Sequence, residues 1–257
     1  MQANLFEIFS SVQGEGPDVG ASTLFVRFGE CDLRCRWCDS PHTWQPAREC
    51  RFEVRRGSAE FRTVANPVPV AAAIDAAVAL EVGRHRFVSL TGGEPLLQPD
   101  AAAALAEALR AHGPRIHLET HGVAAGALPA VLPYVDVVSM DWKLASDVRR
   151  ATDAKSAEPR SFAAEHRAFL ALARRAPRGV VTLVITPASG DAEIDEAIDA
   201  TAELAPEATL VLQPVTPRGP VRERPAPARM LTLSRRAEAR LRDVRLIPQT
   251  HPIYGVL

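Results

Sequence analysis

Three cysteines lie close together near the amino terminus. They form the loop Cys31-Asp-Leu-Arg-Cys35-Arg-Trp-Cys38, with three and then two residues between successive thiols. Three thiolates at this spacing are able to hold three irons of a cubane iron–sulfur cluster and leave the fourth iron open. Zinc is the alternative, but a structural zinc site normally has four protein ligands. Because Cys50 and His42 have no compelling spacing for the fourth position, the triplet favours a 4Fe-4S cluster.

A glycine-rich segment, Thr91-Gly92-Gly93-Glu94-Pro95, is the second candidate site. Its two glycines let the backbone approach a ligand closely, Glu94 is placed near a possible ammonium, and Pro95 stiffens the exit from the preceding strand. Alone, this segment would be an ordinary loop before a helix. Together with the cysteine loop and the aromatic Trp37, it resembles the radical S-adenosylmethionine (SAM) superfamily. That resemblance implies that SAM binds the open iron and that an electron from the cluster cleaves its sulfonium to a deoxyadenosyl radical.

The elements that must position these motifs follow from the periodicity of the sequence. Short β-branched runs alternate with alanine-rich stretches of helical spacing, which is typical of an α/β fold with a mainly parallel sheet. The predicted strands cover residues 23–28, 87–90, 116–120, 135–140, 180–185, 209–212 and 244–247. The predicted helices cover residues 70–82, 99–112, 161–174, 192–204 and 233–242. Ligands gather at the carboxyl ends of parallel strands, so the motifs should converge on one face.

We predict a single domain over residues 1–257 with two additions. Residues 51–64 contain two alternating runs about Gly57-Ser58 and predict a β-hairpin insertion. The proline-rich residues 213–227 predict a long loop over one face, and residues 249–257 form a carboxyl-terminal tail.

Composition excludes several classes of protein. The chain has 257 residues, is 47% hydrophobic and balances 30 basic against 31 acidic residues, which argues against a nucleic-acid-binding surface. The longest uncharged apolar stretch, residues 122–135, is interrupted by prolines and is too short to span a bilayer. The amino terminus does not have the pattern of a secretory signal. We therefore predict a cytoplasmic protein without membrane or nucleic-acid partners.

Further segments resemble one family within the superfamily, the 7-carboxy-7-deazaguanine synthases. They are Glu7-Ile-Phe-Ser-Ser-Val-Gln-Gly-Glu-Gly-Pro17, Phe25-Val-Arg-Phe28, Cys38-Asp-Ser40, Ser139-Met-Asp-Trp-Lys-Leu144, Gln213-Pro-Val-Thr216 and Gln249-Thr-His251. The resemblance runs over essentially the whole chain. It implies contraction of the ring of 6-carboxytetrahydropterin to 7-carboxy-7-deazaguanine with loss of ammonia, towards deazapurines such as queuosine. It also implies a modified, incomplete (β/α) TIM-like barrel, a homodimer, and an electron donor such as flavodoxin or ferredoxin.

The same resemblance assigns roles residue by residue. The 4Fe-4S cluster would be held by Cys31, Cys35 and Cys38. SAM would be bound by Trp37, Cys38, Asp39, Gly93, Glu94, Ser139, Met140, Asp141, Gln213, Pro214, Val215 and Thr216. The pterin would be bound by Val12, Gln13, Gly14, Glu15, Arg27, Thr91, His251 and Leu257. Gln13 offers donors and acceptors to a pterin edge, and Arg27 offers a charge-assisted pair to its carboxylate.

Magnesium is the third implied cofactor. Ser40 occupies the family's Mg²⁺ position, where a hydroxyl suits a hard cation that otherwise keeps waters and substrate oxygens as ligands. Pro252 stands where the family pattern has a lysine, which leaves the path of the tail open. Glu119 and Lys143 are weaker candidates, since either could form a local salt bridge or cap.

Two other functions remain open at this point. The first is a radical SAM activase that abstracts hydrogen from a glycine of a partner enzyme, which would not obviously need Gln13 or Ser40. The second is a non-enzymatic iron–sulfur or zinc module, which would normally close every metal position with cysteines and leave the Thr91–Pro95 segment without a purpose. Stoichiometric zinc without iron would exclude both radical interpretations.

Overall fold

A ten-stranded sheet forms the centre of the computed structural model, which describes residues 1–154 and 156–255. The strands are β1 (Gln2–Ala3), β2 (Leu5–Val12), β3 (Ser22–Phe28), β4 (Leu33–Cys35), β5 (Glu49–Glu53), β6 (Phe61–Ala65), β7 (Val68–Pro69), β8 (Phe87–Gly92), β9 (Arg115–Thr120), β10 (Val137–Asp141), β11 (Val148–Arg150), β12 (Arg178–Ile185), β13 (Thr209–Pro214) and β14 (Val244–Leu246). The helices are α1 (Val70–Ala79), α2 (Pro99–Arg110), α3 (Leu128–Val131), α4 (Ala163–Ala173), α5 (Asp191–Leu204), α6 (Pro227–Glu238) and α7 (His251–Tyr254).

The strand order is β14-β13-β12-β10-β9-β8-β3-β2-β5-β6. Every pair from β14 to β3 is parallel, whereas β2 is antiparallel to β3, β5 is parallel to β2, and β6 is antiparallel to β5. Among the described residues, no pairing joins β14 to β6, so the sheet is open. The predicted α/β class with a mainly parallel, incomplete barrel is therefore confirmed.

Helix α2 illustrates how the sequence dictates these elements. Pro99 occupies the first turn, where its missing N–H has no consequence, Asp100 lies near the positive end of the helix dipole, and Arg110 lies in the last turn. Leu105 and Leu109 are fully buried and lie one turn apart on the face that packs against the sheet. The strands beneath alternate between two faces: in β9, Ile116 and Leu118 are fully buried, whereas His117 and Glu119 line the cleft.

Two elements differ from their prediction. Strand β2, Leu5–Val12, is absent from the predicted strands, and it forms because Leu5, Ile8 and Phe9 are buried and the strand pairs with β3. Helix α6 begins at Pro227 and ends at Glu238, whereas apolar spacing predicts 233–242. The proline-rich stretch obscured its start, although proline at the first helical position is a common start signal.

The predicted hairpin is present as β5 and β6, which pair antiparallel and extend the edge of the sheet through β2. That it is an insertion on a single domain stays a prediction. In the described part of the chain, no helix is long and apolar enough to cross a membrane.

Candidate active site

A cleft of about 710 Å³ lies at the carboxyl ends of the parallel strands. It receives the loops after β3, β8, β9 and β10, as the position of the motifs predicts. The predicted site residues that line it are Val12, Gln13, Gly14, Glu15, Arg27, Cys31, Cys35, Trp37, Cys38, Asp39, Ser40, Thr91, Gly93, Ser139, Asp141 and His251. Those placed behind or beside its wall are Glu94, Met140, Gln213, Pro214, Val215 and Thr216. Leu257 lies outside the described residues.

The cysteine loop is held by a small sheet that the sequence did not indicate. Strand β4 pairs antiparallel with β11, so that Cys35 lies opposite Val148, and the Arg36 N–H donates to the Asp147 carbonyl at 3.0 Å. Burial raises the pKa of the Cys31 thiol to about 11 and that of the Cys35 thiol to about 12. These thiols therefore stay protonated until a metal supplies positive charge.

The donor set of the cysteine loop suits a cluster better than a single zinc ion. Cys31, Cys35 and Cys38 line the cleft, and no fourth cysteine of the described residues lines it with them. A structural zinc site normally has four protein ligands, whereas three thiolates hold a 4Fe-4S cluster and leave its fourth iron open. Trp37 adds a buried indole N–H that has no partner among the described residues and could donate to a ligand in the cleft. This arrangement fits a larger polar group better than a zinc ion.

The two glycines of the second motif permit a close approach that no other residue allows. Gly92 has φ of 113°, and a Cβ there would lie 2.4 Å from Arg27 Cγ. A Cβ on Gly93 would lie 1.9 Å from the backbone oxygen of Glu30, just before the cysteine loop. The Gly93 N–H also donates to the Phe28 carbonyl at 2.9 Å. The absence of side chains therefore lets the two predicted motifs pack directly together.

Glu94 lies beneath this loop rather than in the cleft. Its carboxylate is fully buried and accepts hydrogen bonds from Leu96 N at 2.9 Å, Thr120 Oγ1 at 2.8 Å and His121 N at 2.9 Å. The His121 side chain continues the network, because its Nε2 lies 2.7 Å from Asp32 Oδ1 beside the first cysteine. Glu94 thus fixes the end of β9 and the glycine loop, and its contact with SAM stays a prediction.

Gln13 and Thr91 meet at one carboxylate, that of Glu119. The Gln13 amide donates to Glu119 Oε1 at 2.8 Å, and the Thr91 hydroxyl donates to Oε2 at 3.2 Å. The side-chain oxygen of Gln13, Oε1, accepts hydrogen bonds from the Gly14 and Glu15 N–H groups at 2.8 and 3.1 Å. Glu119 therefore orients two residues that the family resemblance assigns to the pterin. In the sequence, only its position at the end of a predicted strand indicated such a role.

A cluster of acidic and imidazole groups lines the cleft next to Gln13. The Gln249 amide donates to Glu15 at 2.7 Å and to Asp39 at 3.3 Å, and the His251 ring nitrogens lie 4.0 and 3.9 Å from the same two carboxylates. Burial, followed by the charges of Asp39 and Asp141, raises the pKa of Glu15 to about 8. The tail is fixed here because Thr250 N donates to the Gly14 carbonyl at 2.8 Å.

Lys143 contacts two residues that the family resemblance assigns to SAM, Asp141 and Trp37. Its Nζ donates to Asp141 Oδ2 at 2.7 Å and lies 4.9 Å from the centre of the Trp37 ring. Burial alone would lower the pKa of Lys143, but Asp141 and the neighbouring thiols raise it. Ser139 donates to or accepts from His117 Nε2 at 2.7 Å. Lys143 is therefore a buried cation at the cysteine loop, although the sequence ranked it as a weak candidate.

The remaining assigned residues lie around this region. Met140 and Val215 are buried, and the Gln213 amide donates to Glu15 Oε2 at 3.1 Å while its carbonyl oxygen is buried without a partner among the described residues. The hydroxyl of Ser40, which lines the cleft, donates to Asp39 Oδ1 at 3.1 Å.

Comparison with known proteins places this cleft in a family. The model of the radical SAM superfamily matches residues 26–201. A 7-carboxy-7-deazaguanine synthase of Geobacter sulfurreducens is 38% identical over 99% of this chain and 98% of its own length. That of Archaeoglobus fulgidus is 30% identical over the full length of both. The crystal structure of QueE from Escherichia coli has a TM-score of 0.60 at 21% identity, covers 98% of this chain and 95% of its own, and supports the fold alone. The chain belongs to the radical SAM superfamily and, within it, to the 7-carboxy-7-deazaguanine synthase family.

Proposed function

We propose that this chain is a carbon–nitrogen lyase that converts 6-carboxy-5,6,7,8-tetrahydropterin to 7-carboxy-7-deazaguanine with loss of ammonia. The step belongs to the biosynthesis of 7-cyano-7-deazaguanine and queuosine. The proposal is supported by the end-to-end similarity to synthases of that name. The observation that carries it is the convergence of the cysteine loop, the glycine loop and the Gln13 segment on one cleft.

The polar groups of the cleft suit a carboxylated pterin. Arg27 offers guanidinium donors to the carboxylate, and Gln13 offers an amide to the edge of the heterocycle. Glu15 and Glu119, which lie beside Gln13, offer acceptors to ring and amino N–H groups. A ligand that carries both a carboxylate and several N–H donors would satisfy both kinds of group.

The cofactor side of the cleft has residues that fit a 4Fe-4S cluster and SAM. Cys31, Cys35 and Cys38 would hold the cluster, and when bound with SAM it supplies a carbon-centred radical that abstracts hydrogen from the substrate. We assign SAM binding to the buried indole N–H of Trp37 and to Gly93, since both residues line the cleft. Because the protein encloses these groups, its contribution is to aim the radical and to exclude water.

Ser40 is the proposed Mg²⁺ ligand. A hydroxyl beside the Asp39 carboxylate suits a hard cation, and the substrate carboxylate would supply further oxygens. Bound there, magnesium would orient the substrate and stabilise negative charge during ring contraction. We further propose a cytoplasmic homodimer that receives its electron from a small donor protein such as flavodoxin or ferredoxin.

The test is anaerobic turnover of the reconstituted protein with 6-carboxytetrahydropterin, SAM, magnesium and a reductant. We expect 7-carboxy-7-deazaguanine, identified by mass, together with ammonia. Reductant-dependent release of deoxyadenosine without this product would retain the radical chemistry but reject the substrate. Stoichiometric zinc without iron in anaerobically purified protein would reject the radical chemistry.

A further inference from the structure

One residue from each of five neighbouring strands aligns in a single row across the sheet. The strand registers pair Thr91 with Arg27, Arg27 with Glu7, Glu7 with Arg51, and Arg51 with Thr63. Residues directly opposite each other in paired strands project to the same face. The first four line the cleft. The hairpin therefore reaches the cleft through Arg51.

Glu7 is the shared counterion of two arginines in this row. Its side chain is only 5% exposed, its Oε1 accepts from Arg27 Nε at 2.8 Å, and its Oε2 accepts from an Arg51 terminal nitrogen. One carboxylate between two guanidinium groups leaves a surplus positive charge. Because Glu7 is buried between the strands, it also fixes the direction in which both guanidinium groups point.

Arg51 retains hydrogen-bonding capacity after this pairing. Its guanidinium lies over the Phe61 ring, with 4.6 Å between its central carbon and the ring centre. Its Nε is buried without a partner among the described residues. The side chain as a whole is 43% exposed and lines the cleft. This arginine is held in place and incompletely paired, as expected of a binding residue.

We propose that Arg51 is a specificity-determining residue that, with Arg27, binds the carboxylate of the pterin substrate. The inference rests on the proposed function, since the carboxylate is that of the substrate. It gives the β5–β6 hairpin a role in the site: this hairpin contributes the second guanidinium. A ligand without the carboxylate would leave the surplus charge uncompensated, so Arg51 would discriminate against neutral pterins.

The experiment measures binding without turnover. Reconstituted protein with its cluster, SAM and magnesium, but no reductant, is dialysed to equilibrium against 6-carboxypterin or against pterin, and both ligands are quantified by absorbance. The wild type is expected to prefer 6-carboxypterin. Arg51→Gln should weaken 6-carboxypterin binding by about tenfold or more, since charge-assisted hydrogen bonds are lost, and pterin binding by less than about twofold. Arg51→Lys keeps the positive charge but lacks the paired donors of the guanidinium group, so its loss of 6-carboxypterin affinity should be intermediate.

Arg55→Gln is the matched control. Arg55 lies on the same hairpin, pairs with exposed Glu60 and does not line the cleft, so this variant should bind both ligands as the wild type does. Equal losses of both ligands in Arg51→Gln would mean that Arg51 supports the structure only, and would overturn the inference. If the wild type prefers 6-carboxypterin and Arg51→Gln keeps the same preference, the inference is overturned while the proposed function stands. A wild type with no preference for 6-carboxypterin would reject both, before any variant is measured.

Discussion

Burial makes the thiols of Cys31 and Cys35 costly to ionise. Desolvation is the largest cause of the raised pKa values of Cys31 and Cys35, and Lys143 only partly offsets it. Binding of a metal cluster must therefore release protons and supply the positive charge that the thiolates need. The ionised form of the cysteine site therefore depends on binding of the cluster as well as on the fold.

Cys35→Ala is expected to remove the visible absorption of the cluster and to reduce turnover by at least about 100-fold, because two thiolates hold a cubane poorly. The readouts are the absorption spectrum, iron content and product formation after anaerobic reconstitution. Cys50→Ala is the control, since Cys50 is buried in the main hydrophobic core and should leave the absorption unchanged. Retention of full activity by Cys35→Ala would contradict the cluster assignment.

Ser40→Ala is expected to raise the magnesium concentration for half-maximal turnover by about tenfold, because one oxygen ligand is lost and water replaces it poorly. Cleavage of SAM without productive turnover should persist. Ser58→Ala, in the turn of the hairpin, should leave the magnesium titration as it is in the wild type. An identical titration for Ser40→Ala would remove Ser40 from the magnesium site.

The carboxyl of Glu15 is expected to make the free energy of unfolding depend on pH. Its pKa is about 8 in the folded state and near 4.5 in the unfolded chain, so between these values the folded state binds more protons. The contribution of Glu15 to the free energy of unfolding therefore falls as the pH rises through this window. Glu15→Gln removes this titration. The melting temperature of the variant minus that of the wild type should therefore grow from pH 5 to pH 8, by about 2–4 °C for each kcal/mol that the wild type loses.

Thermal unfolding at several pH values checks this expectation. Glu60→Gln is the control, because Glu60 is exposed on the hairpin and the difference from wild type should stay constant across the range. A constant difference for Glu15→Gln would show that burial and the charges of Asp39 and Asp141 do not raise the pKa of the Glu15 carboxyl.

The sequence was sufficient to predict several candidate site residues, but it was not sufficient to predict the contacts that these residues make. The cysteine triplet, the glycine pair and Gln13 could be predicted because spacing and chemistry are local properties of the chain. Arg51 was missed as a site residue because its relation to Arg27 exists only through the register of β2 with β3 and β5. Glu94 was predicted to face an ammonium, and only the fold shows that its carboxylate is already occupied by Leu96, Thr120 and His121.

At the scale of elements, the two motifs depend on backbone packing between their loops. Gly93→Ala should abolish SAM binding and lower the melting temperature, because its Cβ would overlap a backbone oxygen of Glu30 that cannot move without displacing the cysteine loop. Gly126→Ala is the matched control, since nothing lies within 4 Å of its Cβ position. Equilibrium dialysis with SAM and thermal unfolding provide the readouts. Unchanged SAM binding in Gly93→Ala would contradict this close packing.

The predicted strands of the parallel sheet are all present, with ends that shift by a few residues. Strand β8 is predicted to end at Leu90 but continues to Gly92, because pairing with Arg27 and Phe28 on β3 extends it. Local preference for a turn at a glycine is overridden by this tertiary pairing. The β4–β11 sheet could not be predicted, since three-residue strands from distant parts of the chain carry no periodic signal.

At the scale of the whole molecule, an open parallel sheet leaves one edge of strand ends free to form the cleft. The cofactor motifs and the Arg27–Glu7–Arg51 row lie on neighbouring strands of that sheet, while the carboxyl-terminal segment brings Gln249 and His251 to the same cleft. The sheet thereby places a cluster site, a cationic side and an acidic side around one volume. This arrangement is the physical basis of the proposed ring contraction.

The most direct test compares wild type and Cys35→Ala in anaerobic turnover, with protein, SAM, magnesium and reductant matched. Each is incubated with 6-carboxytetrahydropterin and, separately, with tetrahydropterin that lacks the carboxylate. The account predicts 7-carboxy-7-deazaguanine only from the wild type with the carboxylated substrate. Absence of this product from an iron-loaded wild type that cleaves SAM would contradict the proposed reaction.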